Sequence, residues 1–130
     1  MNPLDDIEKL RRAYDSVPGN LPLMVVLVHA LVRVGRGEEA LEVLREAPTA
    51  DRTDEGLAMI GQLFIVAGDP ATGLELCRGD SAPAWRVRAE AYLALGQHAE
   101  GLAAYKRAVA ADPAVADAEL HKALSRLPLH

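Results

Sequence analysis

The sequence predicts an all-α fold of eight short helices, and three observations lead there. Of 130 residues, 23 are alanine and 19 leucine, while only 4% are aromatic, so the core is built from small and aliphatic side chains that favour helix over strand. Gly, Pro and Asp recur between stretches whose apolar residues return every three or four places, the period of one helix face. Half of the chain is hydrophobic and a quarter charged, the balance of one ordinary domain with a single small core.

Each helix has its own punctuation. The first is expected over Leu4–Asp15, with Leu4, Ile7, Leu10 and Tyr14 on one stripe, and it stops at Pro18-Gly19-Asn20. The second begins near Pro22, where a missing N–H costs nothing, and ends at Gly35. Gly37–Ala47 follows, closed by Pro48, and Pro48–Arg52 is a polar loop. Thr53 or Asp54 then caps a helix running to Ala67, with Gly68 as its left-handed stop. Asp69-Pro70 opens a short fifth helix that runs out at Gly79. Ser81 caps Ala82–Leu95, which Gly96 stops; His98–Ala111 ends at Asp112-Pro113; and Ala114–Leu127 is the last. Linkers of this length join antiparallel helix hairpins.

The joining glycines Gly35, Gly68 and Gly96 are 33 and 28 residues apart, and alignment on them exposes a repeat. The third unit reads Trp85, Ala89, Tyr92, Gly96, Gly101, Tyr105, Ala108 and Pro113. At the same offsets the first gives Met24, Val28, Leu31, Gly35, Ala40, Leu44 and Ala47, and the second Leu57, Gly61, Phe64, Gly68, Gly73 and Cys77. This pattern of large, small and aromatic residues on one helix, glycine at the turn, then small, aromatic and small on the next with a proline stop, resembles the tetratricopeptide repeat. Small residues at Gly61, Ala89, Ala40, Gly73 and Gly101 let paired helices cross closely, and Trp85, Phe64, Tyr92 and Tyr105 fill the remaining space. Trp85 is accordingly expected to be a buried anchor.

The resemblance implies a superhelical solenoid of three helix hairpins with flanking N- and C-terminal helices. Its parts are an N-terminal helix at 1–20, repeat 1 at 21–53, a short repeat 2 at 54–81, repeat 3 at 82–115 and a C-terminal capping helix at 116–130. The chain departs from the family at Val28, where Gly or Ala is usual, at Pro48, which closes the first unit early, and in the second unit, which is about five residues short.

Charge and composition exclude several functions. Lys plus Arg at 14 against Asp plus Glu at 19 gives a net charge of −5 and a pI near 5.3, opposite in sign to a general nucleic-acid-binding surface. One cysteine, Cys77, cannot build a disulfide framework or a Cys-based zinc site. The start MNPLDDIEKL carries acids where a secretory signal carries bases, and the most apolar stretch, Leu21–Val34, contains His29 and Arg33 and falls short of the roughly 20 residues of a membrane span. A cytoplasmic location without membrane partners is expected.

No catalytic, cofactor or metal site is expected either. His29, His98, His121 and His130 lack metal-ligand spacing, and Cys77 falls where the repeat wants a packed apolar residue. Asp5-Asp6 and Glu38-Glu39 sit in first helical turns, where the helix dipole favours acids. Gly35-Arg36-Gly37 lacks the preceding strand and the lysine of a phosphate loop.

What the resemblance does imply is a non-catalytic protein-interaction module, a scaffold or adaptor. The family lines its concave face with first-helix residues not used for packing. Here these are Val25, Val26, His29, Val32 and Arg33, then Ala58, Met59, Gln62, Ile65 and Val66, then Arg86, Val87, Glu90, Leu93 and Ala94. The paired Lys and Asn with which some members hold a carboxylate are missing. A groove rich in Val, Ile, Met and Leu suits an apolar peptide or one face of an amphipathic helix. The partner-binding groove is therefore placed on Val25, His29, Val32, Arg33, Met59, Gln62, Ile65, Val66, Arg86, Glu90 and Leu93. The alternatives are a homo-oligomerisation module and an N-terminal recruitment domain of a larger enzyme.

Overall fold

The structure, a computed structural model, describes residues 3–126, with side chains from residue 5 onward. Its elements are α1 (Pro3–Ser16), α2 (Leu21–Arg33), α3 (Gly37–Glu46), α4 (Asp54–Val66), α5 (Pro70–Leu76), α6 (Ala82–Ala94), α7 (His98–Ala111), a 3-10 turn (Pro113–Val115) and α8 (Ala118–Ser125). All are helical, and no strand occurs among the described residues.

Capping chemistry sets most of the boundaries. Asn20, Thr53, Asp69 and Ser81 each accept a hydrogen bond from a backbone N–H in the first turn of α2, α4, α5 and α6. At the other ends the chain reverses by one device used three times. Gly35, Gly68 and Gly96 take φ of +81°, +103° and +77°, and the following residue's N–H reaches back to Leu31, Phe64 and Tyr92 carbonyls at 2.8 Å each. This satisfies carbonyls that the helix end would otherwise leave unpaired.

The final helix departs from expectation. In place of one helix from Ala114, Asp112 caps the 3-10 turn through Ala114 N–H at 3.0 Å, and Asp117 caps α8 through Glu119 and Leu120 at 3.0 and 3.2 Å. Two acidic caps so close in sequence split the segment, because an Asx cap holds its own residue out of helical geometry. Leu127 and His130 lie outside the described residues, as does the Leu4 side chain.

Helices pair as α2 with α3, α4 with α5 and α6 with α7, and α2, α4, α6 and α8 pack in succession as one layer. Three clusters form the core. The largest joins α1 to α4 through Ile7, Tyr14, Met24, Leu27, Leu31, Leu44, Ile60 and Phe64, among others. A second holds Ala89, Ala104, Tyr105, Leu120 and Leu124. The third holds Ala58, Cys77, Ala84 and Val87 between them. In the second hairpin a Cβ on Gly61 would lie 2.7 Å from Cys77 Sγ and 2.9 Å from Gly73 O. That is backbone crossing closer than any side chain permits, so both glycines are needed there. Burial pushes the Cys77 thiol up to about 11, which keeps it a packed, inert group.

Trp85 corrects the sequence expectation of a buried anchor, since it is only partly buried. One side packs on the second cluster, while the Arg88 and Arg107 guanidiniums stand 4.1 and 4.8 Å from the ring centroid. The shortened α5 ends at Leu76, and Arg88 turns back to donate to the carbonyls of Cys77 and Gly79, the latter at 2.7 Å. Two arginines thus flank the indole where further apolar cover is absent, an arrangement that cation–π attraction favours.

Candidate functional site

The helix layer α2–α4–α6 presents an open cleft of about 270 Å³ between α4 and α6. Its walls carry Ala58 and Met59 from α4, Pro83 and Val87 from α6, and Val115 from the 3-10 turn; Glu55, Gln62, Arg86 and Glu90 supply its polar groups. Met59 is 42% exposed at the rim of the cleft. Across the cleft a line of polar contacts ties three elements together. Gln62 Nε2 donates to Glu90 Oε2 at 3.3 Å, Arg86 Nε stands 3.4 Å from Glu90 Oε1, and Arg86 Nη2 donates to Asp117 Oδ2 at 3.1 Å. Burial pushes the Glu90 carboxyl above the usual glutamate value, against the lowering effect of Arg86.

Asp117 is the node of this arrangement. Its side chain caps α8 and accepts from Arg86, while its backbone N–H donates to the Tyr105 hydroxyl at 2.9 Å and its carbonyl accepts from that hydroxyl at 3.2 Å. The position of Arg86, and so of Glu90, depends on where α7 and α8 meet.

Of the sequence-predicted groove residues, the structure brings together Met59, Gln62, Arg86 and Glu90. The others it disperses. Val25 and Val32 are half-buried against the first core cluster, Ile65 against the third and Leu93 against the second. His29 is exposed on α2, and Val66 is exposed at the end of α4. Arg33 lines a separate small hollow with Asp6, Ile7, Ala30 and Val34. Among the described residues these side chains do not line one apolar groove with the cleft, because Val25, Val32, Ile65 and Leu93 pack in part against neighbouring helices. Sequence reasoning missed Glu55, Pro83, Val115 and Asp117. Only Asp117 left a signal, an Asx cap four residues beyond Pro113.

Among the described residues no group of three or more His, Cys, Asp or Glu side chains is placed to hold a metal ion. No described helix is long and apolar enough to cross a membrane.

Helical hairpins stacked with first helices in one layer, joined by repeated glycine turns, define a helical-repeat solenoid. Two models described as "Tetratricopeptide repeat" match the chain, over residues 7–63 and 82–127, and the chain belongs to the tetratricopeptide repeat family. The fold is similar to that of solved structures described as "MamA MSR-1 C2", with 22% identity and a TM-score of 0.56 over 85% of this chain and 67% of that one. It is also similar to "Crystal structure of MamA", with 15% identity and a TM-score of 0.59 over 91% and 72%. A third, "Crystal structure of MamA protein", shows 15% identity and a TM-score of 0.58 over 91% and 67%. No curated protein matches the sequence.

Proposed function

We propose that the chain is a non-catalytic interaction module whose α4/α6 cleft docks a segment of a partner protein. The observation that carries this reading is the cleft itself, open to solvent on the repeat layer that the family turns toward ligands, with Met59 exposed at its rim. An exposed, flexible thioether is suited to packing against side chains of varied shape. Val26, 50% exposed on α2, and Val66, exposed on α4, are further apolar side chains on the helices of this layer. Membership in the repeat family supports protein binding over catalysis, and a cytoplasmic adaptor or scaffold role fits it. Repeat boundaries at 21–53, 54–81 and 82–115 are part of the same reading.

Met59→Glu tests it. Because Met59 is exposed, the variant is expected to keep its circular dichroism spectrum and Tm while losing association, whether with another protein or with a second copy detected by light scattering. A folded variant that associates normally would exclude the cleft.

A further inference from the structure

Resting on that docking reading, we propose that the α4/α6 cleft selects a partner segment carrying a lysine or arginine next to an apolar residue. The sign of the charge in the cleft decides this. Arg86 is its one cation among the described residues, and it is already bracketed by Glu90 at 3.4 Å and Asp117 at 3.1 Å. Glu55 adds a further carboxylate on the same cleft. Three carboxylates, with Asp117 just beyond the lining, against one guanidinium give the site a net negative charge, which favours a guest cation over a guest anion.

Glu90 is the most demanding of these groups. Its side chain is only 20% exposed, yet its two contacts, at 3.3 and 3.4 Å, are longer than the roughly 2.7–2.9 Å of a charge-assisted hydrogen bond. A partly buried carboxylate with long contacts retains acceptor capacity that a third, cationic donor would fill. The raised affinity of Glu90 for a proton agrees with that deficit.

The walls fit the rest of such a guest. Ala58, Val87 and Val115 give the open cleft an apolar wall for the methylene stem of Lys or Arg, whose charged head reaches toward Glu90. Met59 at the rim then receives the neighbouring apolar side chain.

The test uses three short amphipathic peptides of identical apolar pattern carrying Arg, Gln or Glu at the central position, titrated against the full chain by calorimetry at low salt. The Arg peptide is expected to bind about tenfold or more tighter than the Gln peptide, with the Glu peptide weakest and the Arg preference shrinking as salt rises. Glu90→Gln and Glu55→Gln, the second on an exposed residue whose change cannot disturb the core, are each expected to weaken the Arg peptide several-fold with circular dichroism unchanged. Equal binding of the Arg and Glu peptides, or indifference of the Arg peptide to both substitutions, would overturn the proposal. If all three bind alike and Met59→Glu abolishes them, the docking face stands and only the charge selection falls. If none binds, both fall.

Discussion

The first and third hairpins reach the same antiparallel pairing with different materials. α2 and α3 bury Met24, Leu27, Val28, Leu31, Leu41, Val43 and Leu44, so their stability comes from apolar area removed from water. α6 and α7 bury mainly alanines, with Val87, Gly101 and Tyr105. Less area is gained there, and directional contacts do more: Tyr105 on the Asp117 backbone, Arg88 on the carbonyls of Cys77 and Gly79, and Arg86 between Glu90 and Asp117. The difference explains why the binding face is uneven. Where packing relies on aliphatic bulk, the outward helix face is left with Val26, His29 and Arg33; where it relies on polar anchors, two of them, Arg86 and Glu90, line the cleft.

Truncation should separate the two regimes most clearly in the first hairpin. Leu31, 1% exposed in the largest cluster, has no polar contact to compensate its loss, and Leu31→Ala is expected to cost about 2–5 kcal/mol in denaturant titration. Trp85→Ala probes the third hairpin at its largest side chain. Because the ring is only partly buried and held in part by Arg88 and Arg107, the expected cost is about 2–3 kcal/mol, below the ~3–5 kcal/mol of an enclosed tryptophan. A larger loss at Trp85 than at Leu31 would invert the comparison.

How far the sequence reached follows the same division. Helix ends were legible wherever one residue decides them: the Thr53, Asp69 and Ser81 caps and the Gly35, Gly68 and Gly96 turns act within a few residues of themselves. The start of α8 was not, since Asp112 and Asp117 compete to cap the same segment. The partial burial of Trp85, Val25, Val32, Ile65 and Leu93 depends on which neighbouring helices reach them. Those are tertiary facts that repeat offsets do not carry. Within the cleft, Met59, Gln62, Arg86 and Glu90 were legible from their register on α4 and α6. Asp117, Val115 and Glu55 were not, because nothing local marks their convergence.

The smallest expected effect sharpens the polar side of the comparison. The Glu90 carboxyl is raised in the folded state by burial, with Arg86, Gln62 and Asp117 around it, so the folded protein binds this proton more tightly than the unfolded chain. Its favourable contribution is fully present below the ordinary glutamate range and is lost as pH rises through the raised folded value. Acidifying from neutral pH should therefore stabilise the wild type relative to Glu90→Gln, read as the difference between their Tm values across the pH series. A constant difference would show that Glu90 titrates as an ordinary surface acid.

The central claim, that partners dock in the α4/α6 cleft, is tested most directly by methyl NMR of methionine-labelled protein. Met24, fully buried in the first hairpin, and Met59, at the cleft rim, report on that hairpin and on the cleft at once. Titration with the Arg-bearing amphipathic peptide is predicted to move the Met59 methyl resonance in proportion to occupancy and to leave Met24 in place. A Met59 resonance that stays fixed while the peptide binds would contradict the account.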